Sequence, residues 1–478
     1  MNENNGLHAK YSMRFSGVKC QHGPKRKDSP ETQERAVQFH EGFNRWQIFC
    51  HMFLILLVIN VVARPLEAQQ ALGLQALINM ALNRNSDVIS QKVQVHIARL
   101  ERRRALSRLL PNLDAEGGYI YSSTRNGIPD FVAANGQREA LAFLTLHQSL
   151  FNAGNWGQYR QNGIEEKKQG VLFRQVRQDV ILQVIANYFE LLKLHGKVRV
   201  LKENLNSFKL MAKQSRLLFE SGSVPEIDVK KSRVEYLLQQ NSFRQAQKAY
   251  VAASNRLKIL VGLPLSDSLT VKEFPPRKVT LKALPWYEKT ALENSPEWRA
   301  LKLEEQEILL QRQMALLKNL PTIDANLYYG WDANPPLTRD NNGWQAMLNF
   351  RLPLWHWGAQ KKEYQIAGLR REQIKQSQIK VRKQILRQVV NAYHQAQLQQ
   401  DQIAAMAESK SEAAEAAKMA QMGYREGSLT NLELINTQKL LTRSQIEYLA
   451  AWYNFYIAKA TLLRRVGLLE ENLQWIGD

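Results

Sequence analysis

Cysteine is nearly missing from this chain: Cys20 and Cys50 are the only two, and both precede residue 69. The rest of the chain has neither disulfides nor thiolate ligands to stabilise it, whatever the redox state around it. Histidine is sparse as well. After residue 68 there are His96, His147, His195, His356 and His394, and none has a second His or a Cys at metal-ligand spacing. They read as surface or packing residues, so neither a metal nor a cofactor is expected. No glycine-rich loop is set to cradle phosphate, and no side chain stands in a recognisable nucleophile context. An enzyme is therefore not expected, and energy for any work has to come from a partner. Proline is absent from two long stretches, Gly154–Gly222 and Gly358–Gly427.

Long apolar runs are missing too, with one early exception. Met52–Ala63 reads MFLILLVINVVA, with Arg45 before it and Leu66-Glu67-Ala68 after it. A basic region, a short apolar core and a small residue at the cut describe a signal peptide; a spanning helix needs roughly 20 apolar residues. Residues 1–68 are assigned as a leader with a long polar extension. Cys50 is not preceded by a small-residue lipidation signal. An exported chain with no further apolar span is either soluble or a β-barrel. The net charge is +21; residues 1–68 hold 9 Lys/Arg against 6 Asp/Glu, leaving 56 against 38 beyond them. Such an excess often marks nucleic-acid binding. Here it is spread along helical stretches of an exported chain, so no nucleic acid is expected as a partner.

The chain repeats itself. LPNLDA at Leu110–Ala115 returns as LPTIDA at Leu320–Ala325, and Leu150–Gly154 (LFNAG) is answered by Leu354–Gly358 (LWHWG). Gly222-Ser223-Val224 returns as Gly427-Ser428-Leu429, and Val261-Gly262 as Val466-Gly467. A unit of roughly 205 residues has been duplicated in tandem. The halves are read as residues 69–270 and 271–478.

Helical periodicity dominates. Leu191, Leu194, Val198, Leu201, Leu205, Phe208, Ala212, Ser215 and Phe219 alternate in steps of three and four, a coiled-coil seam with Ser215 as a polar lapse. Each proline-free stretch could form a helix of roughly 100 Å at 1.5 Å per residue. Each is followed by a Gly-Ser break and another helix, Glu226–Val261 and Asn431–Val466. The expectation is two long helical hairpins, about 154–261 and 358–466.

Four segments alternate instead: about 113–122, 141–150, 323–331 and 344–352. In the third, Ile323, Ala325, Leu327, Tyr329 and Trp331 share one face, with Asp324, Asn326 and Tyr328 on the other. In the fourth, Ala346, Leu348, Phe350 and Leu352 oppose Gln345, Met347, Asn349 and Arg351. Segments of this length suit tilted strands crossing a bilayer, and Tyr and Trp gather at their ends as in an interfacial girdle. Leu327, Leu348 and Phe350 are taken as lipid-facing. The joining loops, Ser123–Glu139 and Asp332–Gly343, are polar and turn-rich. Four strands cannot close a barrel and open edges are not tolerated in lipid, so a membrane barrel has to be shared between chains; dimer and trimer both satisfy this.

In order, the motifs LPNLDA and LPTIDA, SLFNAG and PLWHWG, then ESGSVPEIDV (Glu220–Val229) and REGSLTNLEL (Arg425–Leu434), resemble the TolC-like outer-membrane efflux proteins over nearly all of residues 70–470. The resemblance implies a mainly α protein with a small β part. Tandem coiled-coil hairpins would form a helical tunnel in the periplasm, and four strands per chain a 12-stranded barrel in the outer membrane. It implies a homotrimer that takes substrate from a periplasmic adaptor and an inner-membrane pump and conducts it passively to the exterior, in efflux or type I secretion. Carried over by position, the adaptor-docking tips are Gly222, Ser223, Val224, Gly427, Ser428 and Leu429. Asp228, Arg425 and Glu433 are gate candidates, the two acids pairing with Lys230, Lys231 or Arg425 to hold the tip closed. Three features depart from the family: the strong positive charge, serine after the tip glycine, and no lipidated cysteine at the start. The alternative is a periplasmic coiled-coil scaffold or adaptor without a pore, which salt alone would release from membranes.

Overall fold

The computed structural model of the chain describes residues 71–130, 137–277, 279–333 and 341–473. The leader assigned to residues 1–68 and residues 334–340 of the Asp332–Gly343 loop lie outside the described residues.

The order of elements is stated twice. The first half runs α1 (Leu74–Arg84), α2 (Ser86–Ser107), β1 (Asn112–Tyr121), the small ribbon β2 (Thr124–Arg125) and β3 (Ile128–Pro129), β4 (Arg138–Phe151), α3 (Ala153–Glu220) and α4 (Glu226–Val261). The second runs α5 (Leu284–Asn294), α6 (Pro296–Leu317), β5 (Thr322–Ala333), β6 (Asn341–Arg351), α7 (Ala359–Arg425) and α8 (Asn431–Val466). Among the described residues no helix is long and apolar enough to cross a membrane.

The proline-free stretches are unbroken helices of 68 and 67 residues, each roughly 100 Å long. That length lets α3 and α7 serve two rows of helices. Towards the strands, α2, α3, α6 and α7 stand side by side in that order; away from them the order is α4, α3, α8, α7. The short helices α1 and α5 pack at the change-over, α1 on α3 and α4, α5 on α7 and α8. A parallel bridge between Leu72 and Val271 ties the start of the described chain to the stretch after α4.

The main core lies at this change-over. Tyr188, Phe189, Phe455, Tyr456, Leu257, Leu462, Leu77 and Ile78 are all fully buried there. Phe189 and Tyr456 stack with ring centres 5.0 Å apart, and Phe274 meets both edge-on. Burial leaves the tyrosine hydroxyls in need of partners. The Tyr188 hydroxyl donates to the Lys272 carbonyl at 2.7 Å, while that of Tyr456 takes the Arg277 N–H at 2.7 Å and donates to the Arg277 carbonyl at 3.0 Å.

Below the core the predicted seam is shifted. The buried row of α3 is Leu201, Asn204, Phe208, Met211 and Ser215, with Leu194, Val198, Leu205 and Ala212 only half-buried and Phe219 exposed. Leu201, Phe208 and Ser215 belong to both rows, while polar Asn204 and apolar Met211 are buried in place of Leu205 and Ala212.

Candidate functional site

The four long strands form one antiparallel sheet in the order β1-β4-β5-β6. Its register shows how each face is composed, since directly paired residues point to the same side. Leu113, Leu146, Leu327 and Ala346 form one cross-strand row, and Ala115, Leu144, Tyr329 and Trp344 the next. The opposite face carries Asp114, Thr145, Tyr328 and Gln345, then Asn112, His147, Asn326 and Met347. His147 Nδ1 and Asn326 Oδ1 lie 2.7 Å apart across that polar face. Phe143 also points there, its ring filling the space above Gly330, where an added Cβ would come within 2.3 Å of it.

Between Ser149 and Phe151 the register of β4 against β5 shifts by one residue. A bulge inserts one residue and reverses the alternation. Phe151 thereby joins Ile323 and Phe350 on the apolar face. Leu327, Leu348 and Phe350 all lie on that face, exposed. The sheet's free edges are β1 and β6, and the strand-proximal helix row ends in α2 and α7.

The far ends of both hairpins share one turn. At the first, Gly222 has φ +74°, Gly222 N–H donates to the Phe219 carbonyl at 2.8 Å, and Ser223 N–H reaches the Leu218 carbonyl at 2.8 Å. At the second, Gly427 has φ +75° and Ser428 N–H reaches the Gly423 carbonyl at 2.8 Å. These bonds satisfy carbonyls that the helix end leaves open. A Cβ at either glycine would meet nothing within 4 Å. Glycine is needed there for its left-handed backbone and not for space. Gly222, Ser223, Gly427 and Ser428 are exposed, and Val224 is half-buried. Leu429 packs over Gly423 and against a small core of Phe208, Met211, Ala420, Tyr424, Leu434 and Ile435.

The structure does not bring the charged gate candidates together. Glu433 closes a capping box: its Oε2 accepts the Thr430 N–H and hydroxyl, both at 2.8 Å, and its own N–H donates to Thr430 Oγ1 at 3.3 Å. The Thr430 N–H holds the Glu433 carboxyl below its ordinary pKa. Asp228 is half-buried, Arg425 is exposed, and neither makes an ion pair among the described residues. Lys230 pairs with Glu226 on its own helix at 3.3 Å.

A neutral network joins the four helices instead. Ser215 Oγ lies 2.9 Å from Ser232 Oγ and 3.2 Å from the Tyr424 hydroxyl. The Asn431 amide donates to Ser232 Oγ and to the Asp228 carbonyl, both at 3.0 Å. Ser215, Ser232, Tyr424 and Asn431 come from α3, α4, α7 and α8 in turn, and all four are buried. A second polar layer lies nearer the core, where Lys439 of α8 pairs with buried Glu235 of α4 at 2.7 Å and Gln239, Asn204 and Gln438 bond in sequence. The signal in the sequence was Ser215, the polar lapse in an apolar seam. Its partners are 17 and 209 residues away, so no local pattern pointed to them.

A sheet with one apolar face, carried on paired helical hairpins much longer than the sheet is tall, defines the protomer of a membrane channel with a helical tunnel. Solved channels share the architecture. The chain superposes on CusC with a TM-score of 0.71 at 17% identity, covering 83% of this chain and 92% of that one. For the CmeC outer membrane channel of Campylobacter jejuni the score is 0.69 at 16% identity, covering 84% and 89%. The sequence model of the outer membrane efflux protein family matches residues 77–263 and 288–468, and the chain belongs to that family. Among curated relatives, the proteases secretion protein PrtF of Dickeya chrysanthemi is 20% identical over 82% of this chain and 89% of its own length. The alkaline protease secretion protein AprF of Pseudomonas aeruginosa is 22% identical over 84% and 85%. The protein is an outer-membrane channel component with its helical body in the periplasm.

Proposed function

We propose that three copies of this chain close a 12-stranded barrel and a continuous helical tunnel, which accepts cargo from a periplasmic adaptor and an inner-membrane pump. The observation that carries this reading is the pair of unsatisfied edges. Among the described residues β1 and β6 each have one unpaired side, and a sheet edge cannot remain open in lipid. Two copies would supply eight strands; the helical resemblance to trimeric channels favours three. The exposed apolar residues Ile89, Val93, Ile97 and Leu100 of α2, at the free edge of the helix row, support burial against another copy.

The tips at Gly222–Val224 and Gly427–Ser428 are the proposed adaptor contacts, with Leu429 shaping the second tip from inside. The Ser215–Ser232–Tyr424–Asn431 network is the proposed closing device, since it holds the two hairpins of one chain together near the tunnel mouth. Opening a ring of hairpins requires them to move relative to one another, and this network would have to break. Polypeptide secretion is favoured over small-molecule efflux, because the curated relatives PrtF and AprF are named as protease secretion proteins. Detergent-purified protein should run as a trimer and conduct ions in planar bilayers. A detergent-independent soluble monomer would remove the channel reading and restore the pore-free scaffold.

A further inference from the structure

The two copies of the repeat differ sharply where the second strand hands over to the long helix. In the first copy Leu150 and Phe151 complete β4, and Asn152 alone turns the chain into α3, its side chain accepting the Asn155 N–H at 3.2 Å. In the second copy Pro353 stands three residues before His356, the counterpart of Asn152. Proline has no N–H for the ladder, and β6 ends at Arg351. The residues that answer Leu150, Phe151 and Ala153, namely Leu354, Trp355 and Trp357, leave the sheet and stand in the open, with exposures of 84%, 73% and 88%. Trp357 adopts φ +49°, a left-handed conformation that a bulky side chain rarely takes. The two indoles meet edge to face with ring centres 5.9 Å apart. One turn into α7, Lys361 and Lys362 are exposed and make no ion pair among the described residues, whereas neighbouring Lys318 is held by Glu363 at 2.7 Å.

We infer that Leu354, Trp355 and Trp357, with Lys361 and Lys362, form an anchor for anionic phospholipid headgroups of the periplasmic leaflet. The position follows from the sheet. Phe151, the counterpart of Trp355, lies on the apolar face beside Ile323 and Phe350, at the end of the sheet from which the helices depart. A second copy pairing with β6 would use the backbone of that strand and leave its outward side chains towards lipid. Indoles settle at the boundary between acyl chains and headgroups, where the ring is shielded and the N–H can donate. Cations just beyond the boundary attract anionic lipid. Two unpaired ammonium groups, one turn below two protruding tryptophans, match a phosphate-bearing lipid whose headgroup carries net negative charge. This inference rests on the sheet being inserted in a bilayer.

The test uses the full protein reconstituted in nanodiscs with a minor fraction of brominated lipid, either phosphatidylglycerol or phosphatidylcholine. The emission of wild type minus that of the Trp355→Phe/Trp357→Phe protein isolates the anchor. Trp331 and Trp344, on the apolar face, report insertion in both proteins. The anchor emission should be quenched, and more strongly by the phosphatidylglycerol probe. In Lys361→Gln/Lys362→Gln protein that preference should fall by about fivefold per lysine removed. Quenching of Trp331 and Trp344 without quenching of the anchor would overturn the inference and leave the channel reading standing, with a second copy as the cover. Equal quenching by both probes would overturn the anionic preference. Absence of all quenching would overturn insertion and the inference together.

Discussion

Removing the Asn431 amide should unlock the tip. Its Nδ2 donates to Ser232 Oγ and to the Asp228 carbonyl, both at 3.0 Å. Asn431→Ala deletes both bonds and leaves the Asp228 carbonyl and the buried Ser232 hydroxyl a partner short. At about 1 kcal/mol per lost bond, with a further contribution where a buried group is left unpaired, the loss is roughly 2–3 kcal/mol. If the bonds exist only while the two hairpins lie together, the open population rises by about 30- to 150-fold. Tyr424→Phe removes one hydroxyl, 3.2 Å from Ser215 Oγ, and Ser215 keeps Ser232 as a partner. That loss is about 1 kcal/mol, or roughly fivefold. Single-channel recording in planar bilayers reads the open fraction, and thermal unfolding of the same oligomers reads stability. Ser242→Ala is the control, since among the described residues its hydroxyl bonds only within its own helix, to the Leu238 carbonyl at 3.0 Å. The reasoning fails if Asn431→Ala lowers the unfolding midpoint while conductance stays at the wild-type level. The network would then be ordinary helix packing, and the closing device would lie elsewhere.

Three further outcomes are expected. Arg in place of Leu327 or Leu348 should cost about 2–4 kcal/mol of assembly if mid-bilayer, and Arg at Asn326 or Asn349 should be tolerated, as scored by heat-resistant oligomer on gels; equal loss from both pairs contradicts the assigned facing. Ala at Gly222 or Gly427 should destabilise its hairpin end by about 1 kcal/mol, because only the left-handed φ and no steric contact demands glycine there, and hydrogen exchange at Ser223 and Ser428 should quicken correspondingly. Burial pushes the Lys459 ammonium down to about 8 from an ordinary 10.5. Its folded pKa is lower than its unfolded one, so the burial penalty is in full force below pH 8 and is relieved as pH rises towards 10.5. The stability of the wild type relative to Lys459→Met should therefore rise across that interval; a difference that is flat with pH would show that Lys459 titrates normally.

Much of the fold was legible because it is written in local period. A proline-free run of helix formers, closed by a glycine where the chain reverses, specifies a long hairpin without reference to the rest of the molecule. The ends of α4 and α8 coincide with the sequence reading, and the four strands lie within three residues of their expected bounds. Alternation in β5 and β6 separated the apolar face from the polar one for the same local reason. What sequence could not decide was everything that depends on residues far apart meeting. Ser215 reads as a lapse until Ser232, Tyr424 and Asn431 are seen against it, and Asn204 and Met211, not Leu205 and Ala212, line the buried seam. Sequence position suggests that Glu433 pairs with Lys230, Lys231 or Arg425, yet the capping geometry at Thr430 claims it locally. The bulge in β4 was equally hidden, since one inserted residue is visible only against the partner strand. Periodicity is set by the geometry of one chain segment, whereas a buried hydrogen bond is set by where four segments cross, and only the tertiary structure holds that information.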